Sequence, residues 1–312
     1  MGVRYAWRMQ SSSHFSAPDI PVGAPATTWA VRDVMALMES WYPAATAQSW
    51  DRVGLIVGDP DAPVRSILLA LDPTAAIADQ AVAGPCGDGN SYDMVITHHP
   101  LLLRGASFLP VTDPKGRVVT TLIRSGIALF NAHTNADVAC DGVATALADL
   151  IGLRDTVPLE PCGTDAEGRE IGLGRVGSVA EMTLGAFADH VASVLPAGPS
   201  GLFVGGDEAA PVRRVAVLGG AGDSALESAR AAGVDVYLTA DLRHHPASEH
   251  LEGGAPALLC GSHWATESPW LPVLARKLRE AASGADVELR VEVSTIVTEP
   301  WTSHRVTQGE LA

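Results

Sequence analysis

The sequence predicts an α/β protein of two similar lobes related by internal duplication. Three observations predict it. Two distant stretches look alike, "YDMVITHHP" and "VDVYLTADLRHHP". Each is preceded by a strand, a turn and a helix. Each is followed by an apolar strand, then a histidine with a carboxylate four residues on, in "AHTNAD" and "GSHWATE". Only two copies exist, so paired lobes are expected rather than a solenoid.

The elements follow in order. Residues 1–28 are rich in Ser, Pro and Gly and read as a mobile tail. They hold no continuous apolar segment of the kind a signal peptide needs. In "TWAVRDVMALMESWYP", Val31, Val34, Met35, Leu37 and Met38 fall on one helical face, and Pro43 follows its end. "VGLIVGD" reads as a strand. "SILLAL" is an apolar strand, Asp72-Pro73-Thr74 a turn and helix start, and "AAIADQAVA" a helix. "DMVIT" is apolar without alternation, which suits a parallel strand buried on both faces. Strand, helix, strand implies a right-handed crossover. The first lobe is expected over residues 29–156. Residues 157–312 are expected to hold a linking segment and the second lobe. The Gly-rich "GLGRVGSV" and the helix "LGAFADHVASVL" belong to that link and are expected to pack on the second lobe.

Composition limits the function. The chain has 312 residues, is 47% hydrophobic and carries a net charge of -15. A broad nucleic-acid surface is excluded, since it needs clustered Lys and Arg. No apolar run is long enough to span a bilayer. The four cysteines form no C-x-x-C pair, so they read as reduced residues of a cytosolic protein.

In open α/β sheets, ligands gather beyond the carboxyl ends of the strands. The histidine-bearing segments fall there. His98 and His99 are adjacent at a strand end, where Pro100 stops the ladder and both rings can turn to one pocket. His263 and Glu267 are spaced to share one helical face. His133 and Asp137 have the same spacing, but "HTNAD" favours a loop, where the two need not converge. These donors are imidazole nitrogens and carboxylate oxygens without thiolate. They suit Zn, Mn, Fe, Co or Ni better than Ca or Mg. Adjacent histidines can serve two neighbouring ions, and a bridging carboxylate is the usual two-metal arrangement. A dinuclear metal site in the cleft between the lobes is therefore expected.

The strings "WDRVGLIVGD", "LALDPT", "DMVITHHPLL", "AHTNAD", "LGGAG", "DVYLTADLRHH" and "GSHWATE", in this order, resemble the Nif-three-like dinuclear-metal-centre family, often labelled GTP cyclohydrolase 1 type 2 homologues. The resemblance runs from about residue 30 to 300. It implies two similar α/β lobes around a pair of divalent ions, a cytoplasmic location and a ring-shaped homo-oligomer, commonly a hexamer. Carried over by motif, the metal ligands are His98, His99, Asp137, His263 and Glu267, with Glu267 as the bridge. His133 belongs to the pocket or orients a ligand. The chain departs from the family's frequent "WDN" at Arg52 and from its "TGD" at Ala240; neither touches a proposed ligand.

The expected function is metal-dependent hydrolysis of a nucleotide or phosphorylated small molecule by metal-activated water. His133 or His245 is the candidate proton carrier. The alternative is a non-catalytic metal-dependent regulatory, metal-handling or assembly protein. His244 and His245 are expected to shape the pocket or to be structural. Asp51 and Asp72 are read either as carboxylates behind the ligands or as turn and cap residues. The "GGAGDS" turn is read first as simple turn geometry and second as a phosphate cradle.

Overall fold

The computed structural model describes residues 28–85 and 89–307. All of the expected tail except residue 28 lies outside them. The fold of the described residues is mixed α/β, built on two large sheets and two small two-stranded ones.

The first sheet runs Arg290–Val293, Ser66–Ala70, Met94–Thr97, Ala128–Asn131 and Gly54–Val57. All neighbours are parallel except the last pair. Ser66–Ala70, Met94–Thr97 and Ala128–Asn131 are buried throughout. This is why their apolar runs lack alternation: helices cover both faces. One face meets Val31–Trp41 through Val31, Val34 and Met38. The other meets Ala75–Ala83 and a helix not singled out in the sequence, Pro114–Arg124. Asp113 caps that helix by accepting from the amides of Lys115 and Gly116, with Pro114 in its first turn. Thr74 caps Ala75–Ala83 as the turn sequence implies.

The second sheet runs Phe203–Gly205, Ala257–Gly261, Val236–Ala240, Pro211–Ala221, Arg175–Thr183 and Arg154–Val157. Pro211–Ala221, Val236–Ala240 and Ala257–Gly261 are parallel, and the flanking strands are antiparallel. The expected linking segment joins this sheet. "GLGRVGSV" begins its long strand Arg175–Thr183, and Leu184–Val194 packs in its core through Leu184, Phe187 and Val191. Arg175 is buried. Its guanidinium donates to the carbonyls of Ala139, Gly172 and Gly174 and to Thr145 Oγ1.

The two sheets do not divide the chain at residues 156 and 157: Arg154–Val157 already pairs in the second sheet. Trp270–Gly284 and Arg290–Val293 return to the first sheet. Trp270, Leu271, Leu274, Ala275 and Leu278 form the helix's apolar stripe and join the core beside Val31, Val34 and Met38. Val143–Leu150 does the converse, placing Leu147 and Ala148 in the second sheet's core. Each helix that follows a histidine segment thus packs against the other sheet. Trp270 is fully buried, donates its indole N–H to Tyr42 and lies edge-on to the His98 ring. Trp270→Ala would cost ~3–5 kcal/mol by core truncation and would loosen the wall behind His98.

Candidate metal centre

Segments leaving the carboxyl ends of both sheets converge. His98 and His99 follow Met94–Thr97, and His133 follows Ala128–Asn131. His263 and Glu267 lie on the short helix after Ala257–Gly261. His133 and Asp137 also lie at a helix start, Thr134–Val138, where the sequence favoured a loop.

All four imidazoles are held the same way. Nδ1 of His98 lies 3.0 Å from the Ala132 carbonyl, and Nδ1 of His99 2.7 Å from Asp72 Oδ1. Nδ1 of His133 is 3.0 Å from Asp51 Oδ1, and Nδ1 of His263 is 2.7 Å from Asp241 Oδ2. An acceptor at Nδ1 fixes the proton there and leaves Nε2 as a lone-pair donor, the usual orientation of a metal-ligating histidine.

The Nε2 atoms meet around Glu267. His99 Nε2 is 3.0 Å from Glu267 Oε2 and 3.3 Å from His263 Nε2. His263 Nε2 is 3.0 Å from Glu267 Oε1, and His98 Nε2 is 3.7 Å away. Asp137 Oδ1 approaches His98 Nε2 at 3.6 Å. Two overlapping groups could each hold a metal ion: His98, His99 and His133, and His99, His263 and Glu267. His98 Nε2 is buried and makes no hydrogen bond among the described residues, its nearest carboxylates being Asp137 and Glu267 at 3.6 and 3.7 Å. Such an orphan costs ~1–3 kcal/mol unless something fills its valence. With its proton on Nδ1, His98 turns a lone pair toward the same carboxylates, an arrangement that fits a cation.

Electrostatics agree. Burial alone would push the Glu267 carboxyl up, but His98, His263 and His99 together hold it well below its usual range. Burial pulls the His99 imidazolium down, yet Asp72 and Glu267 raise it to about 10. Against the same burial, Glu267 and Asp241 raise His263 to about 9. Burial pushes Asp137 up to about 7, opposed by His98 and reinforced by Glu267. The pattern is that of a carboxylate nest taking protons in place of a metal.

Glycine makes the room. Gly220 sits at φ +70°, and a Cβ there would lie 2.1 Å from Glu267 Oε1. The "GGAGDS" turn thus serves the approach of Glu267. The helix after it, Leu226–Ala231, is short and offers no phosphate cradle.

The other predicted residues separate. His133 stands within the cluster, its ring 5.1 Å from that of His98 and 5.6 Å from that of His99. His244 and His245 begin the helix His244–Glu252, exposed and stacked edge-on to each other. Neither lines the cleft among the described residues. A proton-carrying role for His245 finds no geometric support there. Asp241 was not singled out in the sequence, yet it holds His263. The signal was present: "LTAD" stands where "ITHH" stands in the other half.

The cleft has a volume of about 980 Å³, at the upper end for small-molecule sites. No described helix is long and apolar enough to cross a membrane.

Known proteins share this architecture. A Streptomyces coelicolor protein named GTP cyclohydrolase 1 type 2 homolog is 47% identical, over 87% of this chain and 93% of its own. A Mycobacterium leprae protein of the same name is 33% identical, over 86% of this chain and 94% of its own. The crystal structure of a hypothetical protein from Staphylococcus aureus superposes with a TM-score of 0.79 at 28% identity, covering 88% of this chain and 99% of that one. The profile of the Duf34/NIF3 (NGG1p interacting factor 3) family matches residues 29–300, and the chain belongs to that family.

Proposed function

We propose that this chain binds two divalent ions, Zn, Mn, Fe, Co or Ni, and is a metal-dependent hydrolase of a nucleotide or phosphorylated small molecule. The ligands are His98, His99, Asp137, His263 and Glu267, and His133 stands beside the His98 and His99 rings. The observation that carries the reading is the buried, unpartnered His98 Nε2 beside Asp137 and Glu267, within a ring of imidazoles held at Nδ1. When bound, the ions supply Lewis-acid polarisation and a water acidic enough to ionise near neutral pH.

The chain's own residues do the rest. Asp72 and Asp241 fix His99 and His263 in the ligating tautomer. Asp51 fixes His133 and accepts from the backbone and hydroxyl of Thr134, which anchors the start of the Asp137 helix. Trp270 and Tyr42 back His98 and keep water from that side. Of the two expected proton carriers, His133 lines the cleft and takes the role. The proposal also includes an internal duplication as the origin of the two lobes, a cytoplasmic location and a homohexamer. These rest on the sequence self-similarity and the family resemblance.

One observation favours a second reading. All four cleft imidazoles are committed at Nδ1, which leaves no ring free for proton traffic if every Nε2 takes a metal. On that reading the chain is a metal-handling, assembly or regulatory protein. Saturating it with Mn, Zn or Fe and screening nucleotides and phosphoesters separates the two. Turnover that disappears in Glu267→Ala supports the hydrolase. Metal-tight protein without turnover on any of these classes supports the second reading.

A further inference from the structure

The chain beyond Val293 does not leave the fold. Arg290–Val293 pairs along Ser66–Ala70 at the edge of the first sheet. Ser294 then donates its amide to the Leu69 carbonyl at 2.7 Å and its hydroxyl to Gln80 Oε1 at 2.6 Å. The same hydroxyl oxygen accepts from the Ile296 amide at 3.1 Å. Ile296 packs against the core that holds Leu68, Ala70 and Ile77. Residues 294–307 form no helix or strand. This irregular run nevertheless reaches the candidate metal centre. Thr298 donates its hydroxyl to Asp72 Oδ2, and Thr298 and Trp301 line the cleft.

Asp72 thus uses both carboxylate oxygens. Oδ2 takes the Thr298 hydroxyl, and Oδ1 takes Nδ1 of His99 at 2.7 Å. The far nitrogen of that ring, Nε2, stands 3.0 Å from Glu267 Oε2 and 3.3 Å from His263 Nε2. A carboxylate turns easily about its last torsion, whose energy wells are broad. One bond to an imidazole leaves that swing open. A second donor on the other oxygen fixes the plane and aims Oδ1 at the ring. The Asp72 side chain is 29% exposed, so water could satisfy Oδ2 in place of Thr298. Water would not hold the carboxylate in one plane. The Thr298 hydroxyl contributes orientation, and donation to an ionised acceptor makes it a strong bond.

We propose that Thr298 is a positioning residue of the metal centre, holding His99 in its ligating pose through Asp72 and tying the docking of residues 294–301 to metal occupancy. The inference rests on the reading of His99 as a ligand given above. Linkage makes the coupling reciprocal: a docked run that favours the metal is itself held more firmly when the metal is bound. Trp301 stands at the end of the run with 67% of its surface exposed. Metal occupancy therefore bears on the shape of the cleft wall.

The test is competition against a chelator of known affinity on the full chain, with Zn or Mn as the probe. Thr298→Val removes the donor and keeps the shape of the side chain. It is expected to weaken metal binding about tenfold, the lower end of what a partner behind a ligating imidazole is worth. Thr298→Ser restores the donor and is expected to bind metal as the wild type does. In an Asp72→Ala background, Thr298→Val is expected to cause no further loss, because the path through Asp72 is already cut. Limited chymotrypsin digestion reads the reciprocal effect. Metal is expected to slow cleavage after Trp301 in the wild type and not in Thr298→Val. A purely structural role would lower the melting temperature and leave metal affinity where it was. Unchanged affinity in Thr298→Val, no recovery in Thr298→Ser, a full further loss in the Asp72→Ala background, or cleavage indifferent to metal in the wild type each overturns the inference while the metal reading stands. A wild-type chain that binds neither Zn nor Mn overturns the metal reading and this inference with it.

Discussion

The end of Met94–Thr97 and the end of Val236–Ala240 occupy matching places in their sheets. Both strands are central, parallel and buried, and both reach a buried threonine. After Thr97 come His98 and His99, which face the cluster. After Thr239 come Ala240 and Asp241. Asp241 takes φ +52° and turns its carboxylate onto His263 Nδ1. One strand end supplies donors to the centre; the other supplies the group that orients a donor. The second His-His-Pro arrives later, and its histidines begin a helix with exposed rings. Position along the strand, not likeness of the tripeptide, decides which histidines converge.

The largest expected effect comes from breaking one side of that comparison. His99→Ala removes a donor common to both groups, and the purified protein should lose at least one of about two ions. His245→Ala should leave metal content unchanged and shift stability within ~0.5 kcal/mol, as exposed substitutions do. Elemental analysis beside thermal melts reads both. Equal losses of metal in the two variants would erase the distinction.

The orienting side gives the next effect. Asp241→Ala and Asp72→Ala should each weaken metal affinity ~10–100-fold, since a carboxylate behind a ligating imidazole is worth that much. Competition with a chelator of known affinity measures it. An unchanged affinity in Asp241→Ala would mean that His263 needs no support.

The pH dependence sharpens the contrast between empty and filled donors. Without metal, His99 and His263 keep their protons up to about pH 10 and 9. Ligation needs neutral rings, so binding must expel those protons and affinity must rise with pH. Below about pH 9 the gain should approach two tenfold steps per pH unit, one for each displaced proton. Below about pH 7 it should steepen, because Asp137 also holds a proton there. A pH-independent affinity across this range would contradict the ligand set.

The turn that makes room for Glu267 gives a further test at Gly220. Gly220→Ala places a side chain at positive φ, which costs ~1–2 kcal/mol, and its Cβ collides with Glu267 Oε1. Metal affinity should therefore fall more than the melting shift alone implies. A loss of stability with full metal affinity would separate the turn from the site.

Much of this was legible in the sequence. Runs such as "SILLAL" and "DMVIT" are apolar on both faces, so parallel buried strands follow directly, and Asp72-Pro73-Thr74 announces its helix. His98, His99, His263 and Glu267 stand at strand ends and helix starts, where convergence is geometric. What escaped was long-range. The exchange of Val143–Leu150 and Trp270–Gly284 between sheets leaves no local mark, because an apolar stripe does not name its partner. Arg175, in a strand of mixed exposure, reads as a surface residue until four oxygens surround it. Asp241 and Gly220 act through contacts 22 and 47 residues away. Thr298 reaches Asp72 across 226 residues.

The most direct test is the bound-metal content of the wild-type chain and of Glu267→Ala, purified without chelator and dialysed. The account predicts about two divalent ions per wild-type chain and the loss of at least one in the variant, with the fold retained by circular dichroism. A wild-type content near zero, or an equal content in both, would contradict it.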